Sequence, residues 1–583
     1  MVIPSLASGV TVKQKGIFFI FRVKLCDTIL CEEVIVKVLG KMISLSITEV
    51  LLLFLVGLLT VLYLFGRWED GYFKRKGIKT PPIPLPYFGN LIGWLSGRKH
   101  YKDILNEAYD SFPNEKYFGF REFRTKAIVL RDLELIKKIT IKDFDYFVDH
   151  NVFMDWDREP LFSNTLLSLK GQKWRDMRST LSPAFTSSKM KGMFEFVTEC
   201  AEQLSNYLME EMKEREHKAK GLVEVELKDL FTRYSTDVIA TCAFGVKVDS
   251  YKERDNEFYT NGKQTTGFAK MTMPKILMIS FPLLVKLLNV PALAESVGAF
   301  FKNMVLSSME TREKKNIIRP DMIHLLMEAK KGKLDHKDDG HSKDTGFSTV
   351  EETFLGTSTV SKWTDETLVA QALAFFVAGF DTTSQVECFT GHHLAIRPDI
   401  QKRLQEEVDE VFARNNGKIS FSDINGMKYM DMVISETMRL WPASARLDRK
   451  CVKPYTLPPA NESGAKEVKL SGNEAIWIPI NAIHHDPRYY ENPTKFDPER
   501  FSDENKGKIN PMTYMPFGVG PRNCIGSRFA LMSIKAIMFF LLSKFDFVPT
   551  AKTQIPLKMD KNYIFAVTER GFWVGLKPRI KDI

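Results

Sequence analysis

Apolar residues along this chain fall into three kinds of run. The longest is Ile43–Phe65, ISLSITEVLLLFLVGLLTVLYLF, interrupted only by Glu49 near its outer end. At ~1.5 Å per residue it reaches roughly 34 Å, enough to cross a bilayer core. It is longer than the apolar part of a signal peptide and lacks a small-residue cleavage site, so it predicts a membrane anchor. The second kind has helical spacing. Leu368, Ala372, Phe375, Phe376 and Gly379 share one face of Thr364–Cys388, with Thr364 as N-cap and Asp365 and Glu366 in the first turn. A further helical stretch ends at Ser435–Arg439 before Pro442, and another begins just after Cys524. The third kind is strand-like: Lys116–Phe123 and Lys126–Asp132 read as a hairpin. No internal repeat and no low-complexity linker divides the chain, so one large domain is expected after the anchor.

Charge sharpens this division. Arg67, Lys74, Arg75, Lys76 and Lys79 follow the apolar run, then TPPIPLPYFGN with Pro81, Pro82, Pro84 and Pro86. Proline fixes φ and removes donors, so this stretch is a stiff spacer. The basic cluster keeps the C-terminal part cytosolic by the positive-inside rule. Residues 1–41 carry competing lysines and arginines, and Met42 stands directly before the anchor. We therefore expect residues 1–41 to be an upstream extension absent from the working protein, 42–66 an anchor, 67–90 a basic and proline-rich hinge, and 91–583 a catalytic domain.

The 583 residues are 44% hydrophobic and carry a net charge of +10. That balance suits an anionic membrane surface or an acidic partner, and no basic block with interleaved aromatics points to nucleic acid. Cysteines number seven and no C-x-x-C occurs, which argues against a disulfide framework or zinc site.

The densest chemistry lies in Met515–Met532, MPFGVGPRNCIGSRFALM. Gly518 and Gly520 permit tight turns before Cys524. Loop amides and the following helix start are expected to favour a thiolate. Phe517, Gly520, Arg522, Cys524 and Gly526 match F-x-x-G-x-R-x-C-x-G. This resembles the haem-binding signature of the cytochrome P-450 superfamily. The resemblance implies Cys524 as proximal iron ligand, Arg522 as a haem-propionate partner, Phe517 as a shield for the sulfur, and Gly526 as the point where the next helix passes the porphyrin. Thiolate ligation favours O–O cleavage.

Three further motifs agree. Ala378-Gly379-Phe380-Asp381-Thr382-Thr383 breaks helix propensity inside an apolar stretch, a conflict that often marks function. It is similar to the family's oxygen groove, implying that Gly379 opens room for O₂, Thr382 hydrogen-bonds it, and Asp381 relays protons. Glu436 and Arg439, with Arg500 in PERF, resemble the family's Glu-Arg-Arg triad, expected to retain haem. Trp174 and Arg178 match W-x-x-x-R and share a helix face; they and Arg449 resemble propionate-binding residues. Asp149-His150-Asn151 stands where relatives often carry Arg, leaving one propionate contact open.

The likeness covers about residues 42–583. CVKPYTLPP, DTGFSTVEE (Asp344–Glu352) and SETMRLWP resemble the insect family-nine branch, while Gly391-His392-His393-Leu394-Ala395 departs from the more usual Y-E-L-A. The implied fold is mainly α with a small β-rich lobe, the cytochrome P-450 fold, preceded by one transmembrane helix. The implied activity is insertion of one O₂ oxygen into lipophilic substrates such as xenobiotics, in the endoplasmic reticulum membrane. The implied cofactor is haem b. Electrons would come from NADPH–cytochrome P-450 reductase, with cytochrome b5 as a further partner. Lys173, Arg175 and Arg528 are candidates for a basic docking face. Substrate contacts would come from Asn151–Phe162, Gly267–Phe301, Phe375–Phe376, Ala443–Leu447 and Ile564–Phe565. A peroxide-rearranging isomerase or dehydratase and a non-catalytic ligand carrier are the alternatives; the Asp381–Thr382 pair speaks against the first. Asn461-Glu462-Ser463 is a glycosylation sequon that stays unmodified if the body is cytosolic.

Overall fold

The computed structural model describes residues 46–83, 88–151, 159–216, 221–266, 270, 272, 275–276, 294–331, 347–349 and 363–579. The expected extension 1–41 lies outside these residues, as do the start of the anchor, Pro84 and Pro86, and much of two expected substrate segments. The chain divides into two units, Met1–Gly71 and Tyr72–Ile583.

In the first unit, helix α1 spans Ile47–Asp70. It begins at a capping box. Ser46 accepts from the Glu49 N–H at 3.4 Å, and Glu49 accepts from the Ser46 N–H at 2.8 Å. That accounts for the one acidic residue in an apolar stretch. Val50 to Leu59 includes nine exposed large apolar side chains: Val50, Leu51, Leu52, Leu53, Phe54, Leu55, Val56, Leu58 and Leu59. Counted over described residues only, no helix is long and apolar enough to cross a membrane.

The second unit is mainly helical. Its helices include α2 (Gly171–Leu181), α3 (Ser187–Glu216), α4 (Leu227–Ile239), α5 (Glu295–Lys315), α6 (Met322–Lys330), α7 (Asp365–Ala395), α8 (Pro398–Arg414), α9 (Lys428–Leu440) and α10 (Ser527–Lys544). Helix α7 is the axis of the core. It packs on α4, α5, α9 and α10, and Leu368–Leu373 and Thr383–Ala395 are buried. Thr364 caps it as expected, accepting from the Thr367 N–H at 3.2 Å.

The β lobe is small. Strands β1 (Tyr117–Glu122) and β2 (Thr125–Leu130) form the expected hairpin. With β4 (Leu447–Lys450) and β7 (Ala475–Ile478) they make a sheet in the order β1-β2-β7-β4. The β2–β7 pair is parallel, with Ile128 opposite Ile476. Strands β5 (Tyr455–Leu457) and β6 (Val468–Leu470) form a separate pair. Strands β3 (Val223–Glu226), β8 (Phe545–Val548) and β9 (Trp573–Pro578) form a third sheet in the order β3-β9-β8. A separate apolar core lies under the four-stranded sheet, centred on Phe118, Ile128, Ile476 and Trp477.

Candidate active site

The cysteine loop is shaped by glycines in the left-handed region, Gly518 at φ +81° and Gly520 at φ +72°. A Cβ on Gly520 would stand 2.1 Å from the Thr140 carbonyl oxygen, so the loop can approach that carbonyl only with glycine there. The Cys524 N–H donates to Phe517 O at 2.8 Å and the Asn523 N–H to Gly520 O at 2.9 Å. Arg178 on α2 grips the loop from outside, donating to Asn523 O at 2.9 Å and Oδ1 at 2.7 Å. Cys524 is exposed, yet the protein packed around it pushes its thiol pKa up. The Gly526 amide and the Arg178 charge oppose that rise without cancelling it. The amide acts in the expected direction, and desolvation outweighs it. A metal–sulfur bond would remove the proton outright.

A second accessible feature lies in the middle of α7. Ala378 and Thr382, one turn apart, are exposed between two buried stretches of the same helix. Phe375, one turn earlier, meets Phe185 edge-to-face at 5.4 Å. A Cβ on Gly526 would meet that same Phe185 ring at 3.9 Å. One ring thus bridges the cysteine loop and the helix that carries the accessible strip.

The helix does not end at the groove motif. The Thr382 hydroxyl donates back to Ala378 O at 2.6 Å, a helix-compatible bond. A Cβ on Gly379 would lie 2.8 Å from Ile239 Cδ1 of α4, so the missing side chain lets Ile239 pack close. Ala378 and Thr382 face the accessible side. Asp381 is not free. Lys228 Nζ of α4 donates to Asp381 Oδ1 at 2.6 Å and to Ser384 Oγ at 2.9 Å. Burial works against the Lys228 charge, but Asp381, with Cys388 and Glu226, outweighs it and its pKa is raised.

Three guanidiniums gather beside the loop. Arg522 donates to Val148 O, Leu166 O and Leu169 O at 2.7–3.1 Å, and stacks 4.0 Å above the fully buried Trp174 ring. Arg449, on β4 and fully buried, donates to Asp448 O at 2.8 Å and Val519 O at 3.0 Å. Its Nε is buried with no protein partner. Burial, Arg449 and Arg178 together push the Arg522 pKa well below its ordinary value. His150 fills the departed position by pairing with Asp448 Oδ1 at 3.2 Å. Burial would raise the Asp448 pKa, but His150, Arg446 and Arg449 hold it down at about 2.

This donor set fits haem. It offers one thiol, an accessible strip on the helix across Phe185, and a surplus of guanidinium charge with an unsatisfied Nε suited to carboxylates. Phe517 is partly buried against the core beside the loop.

The triad residues come together. Arg439 donates to Glu436 through Nε at 2.7 Å and Nη2 at 2.8 Å, both side chains fully buried. Arg500 Nε stands 3.5 Å from Glu436 Oε1, and the Asp497 N–H donates to that oxygen at 2.9 Å. Burial raises the Glu436 pKa, against both arginines.

On the candidate docking face, Lys173 is exposed. Arg175 pairs with Asp145 at 2.5 Å and Arg528 donates to Phe185 O at 3.3 Å, so both are partly engaged. The sequence reading missed Lys228, Asn523 and Phe185. Each acts on a motif residue from more than 100 positions away, and nothing in local spacing could have linked them.

Comparison with known proteins gives one consistent answer. The family described as Cytochrome P450 matches residues 79–575. "Cytochrome P450 9e2" of Blattella germanica is 46% identical over 528 residues, covering 89% of this chain and 96% of the relative. "Probable cytochrome P450 9f2" of Drosophila melanogaster is 40% identical over 529 residues, covering 88% and 97%. "Cytochrome P450 6k1" of Blattella germanica is 34% identical, covering 89% and 95%.

Proposed function

The chain belongs to the cytochrome P450 family and is a haem-thiolate monooxygenase using haem b, and from that premise we propose that it oxygenates lipophilic xenobiotics with electrons from NADPH through a flavoprotein reductase. The observation that carries the reading is the accessible Cys524 thiol in a loop that Arg178 and Arg449 bond through Asn523 and Val519 and that itself carries Arg522. When bound, haem supplies the activation of O₂.

The remaining roles belong to side chains. Cys524 binds the iron. Arg178, Arg449, Arg522 and Trp174 hold and neutralise the propionates. Gly520 and Gly526 let backbone approach the ring, and Phe517 keeps water from the sulfur. Thr382 orients O₂ and passes on protons that Asp381 receives, with Ala378 lining the same side. Gly379 serves this site by letting Ile239 pack close. Glu436, Arg439 and Arg500 hold residues 497–500 against α9, behind the cysteine loop. A buried carboxylate with two guanidiniums is costly unless fully bonded, and here Glu436 takes charge-assisted bonds from Arg439 and a backbone N–H from Asp497.

We further infer that the protein is anchored in the endoplasmic reticulum membrane by the segment 42–66. The exposed apolar side chains of α1 support this. Residues 67–90 then act as a basic hinge and 91–583 as the catalytic domain, facing the cytosol. The reductase, and cytochrome b5 as a second donor, approach the face carrying Lys173. Charge would chiefly raise the on-rate. A cytosolic body leaves the Asn461 sequon unglycosylated; its Nδ2 already donates to Glu115 at 2.8 and 2.9 Å.

The test is spectral and catalytic. Reduced protein under carbon monoxide should give the absorption band of cysteinate ligation, and Cys524→Ala should abolish it. With reductase, NADPH consumption should rise when a lipophilic toxin is added. Persistence of the band in Cys524→Ala would overturn the site.

A further inference from the structure

One motif has no part in the site described above. Of Asp344–Glu352, residues 347–349 are described, in the connection between α6 and α7. Phe347 and Ser348 dock on three elements at once. The Phe347 N–H donates to Asp431 Oδ2 of α9 at 2.8 Å. Its ring meets Phe501 at 5.1 Å and Tyr514 at 5.5 Å. Ser348 is buried, its hydroxyl 2.8 Å from Ser435 Oγ and 2.7 Å from Tyr514 Oη. Tyr514 Oη in turn donates to Ser435 O at 3.0 Å.

Three of the four residues contacted are adjacent in sequence to a residue of the proposed haem-retaining machinery. Ser435 precedes Glu436, Phe501 follows Arg500, and Tyr514 precedes Met515 at the start of the cysteine loop. The Met515 N–H donates to His484 Nε2 at 2.9 Å, and His484 O accepts from Arg439 at 2.7 Å. The Ser348 hydroxyl therefore joins triad helix and cysteine loop through one buried three-way contact. Asp431 adds a second tie, because Lys535 of α10 lies 3.1 Å from its other oxygen.

We propose that Phe347 and Ser348 form a latch by which the α6–α7 connection holds the triad and the cysteine loop together and so sets how firmly haem is retained. They are positioning residues, acting through Ser435, Phe501 and Tyr514. The proposal rests on the reading of that loop as the haem site. A small hydroxyl is suited to this place because it can donate to one neighbour and accept from the other. Alanine would leave two buried hydroxyls without that partner.

The test uses the full chain loaded with haem. Phe347→Ala, Ser348→Ala and, as a control, Val305→Ala in the buried face of α5 are compared by two measurements. These are the rate of haem transfer to excess apomyoglobin and the thermal midpoint by circular dichroism. Latch variants should lose haem at least fivefold faster than the parent. Val305→Ala should change that rate less than twofold while lowering the midpoint comparably. Should Phe347→Ala fail to fold, Ser348→Ala alone decides, since it removes one oxygen atom. Ser348→Ala losing haem at the parental rate, or no faster than Val305→Ala, overturns the latch. A parent chain that never shows the cysteinate band would instead overturn the haem site itself.

Discussion

His393 occupies a slot with the wrong hydrogen-bonding character, and His393→Glu should stabilise the protein. Its Nδ1 lies 2.7 Å from Arg397 Nη1, and its Nε2 lies 2.8 Å from Trp441 Nε1. Both neighbours are obligate donors. A neutral imidazole accepts at only one nitrogen, so one donor faces an N–H. Burial, helped by Arg397 and His392, pushes the His393 pKa well below its ordinary value, which holds the ring neutral and protonating neither side usefully. One unmade buried bond costs about 1–3 kcal/mol. A glutamate offers two acceptor oxygens, one toward each donor. The exchange forfeits stacking of the ring on Phe496 at 4.3 Å, worth about 0.5–1.5 kcal/mol. The net expectation is a gain of about 1 kcal/mol, whereas His393→Ala, which loses both the acceptor and the ring, should lose about 2 kcal/mol. Guanidinium unfolding of the haem-loaded protein at pH 7.5, followed by circular dichroism, measures both. A His393→Glu variant less stable than the parent would refute the reasoning.

Other outcomes follow from the same geometry. His392 and His485 are pushed down by burial to about 4 and His484 to about 3. Because the unfolded chain binds protons at these sites below their ordinary 6.5 while the folded one does not, their contribution is complete above pH 6.5 and is lost as pH falls toward 4; a flat melting midpoint over that window would contradict this. Gly379→Ala drives a methyl into Ile239 and should cost about 1–3 kcal/mol by thermal unfolding, and Ile239→Ala in the same chain should relieve part of the loss. Lys228→Met removes the ion pair of Asp381 and should uncouple NADPH consumption from product, read as more peroxide per turnover; unchanged coupling would exclude Lys228 from proton handling. Glu436→Ala leaves the buried Arg439 and the partly buried Arg500 without their carboxylate, a loss of about 3–5 kcal/mol, and should yield protein without haem; a folded, haem-loaded Glu436→Ala protein would contradict the retention role.

How much of this was legible depended on distance along the chain. The cysteine loop could be read because its glycines serve conformations set within a few residues of Cys524. The same holds for the cap at Thr364, the Glu436–Arg439 pair and the β1–β2 hairpin, all of which are local. What escaped were partners brought in by the fold. Nothing near Asp381 announces Lys228, 153 residues earlier. Nor does the helix around Gly379 announce Ile239, which packs against it. Likewise nothing near Arg178 announces its bonds to Asn523, 345 residues later. At Cys524 the amide that favours ionisation is local, and the desolvation that opposes it comes from residues the loop does not contain.

The parallel pairing of β2 with β7 has a consequence for synthesis. Residues 127–129 hydrogen-bond to residues 475–477, a separation of 475 − 127 = 348 positions. At roughly 5–20 residues per second, the ribosome needs on the order of 20–70 s after making β2 before its neighbour exists. For that interval the hairpin's second strand has an unpaired edge, so any chaperone that guards a nascent sheet edge has a task of that length here.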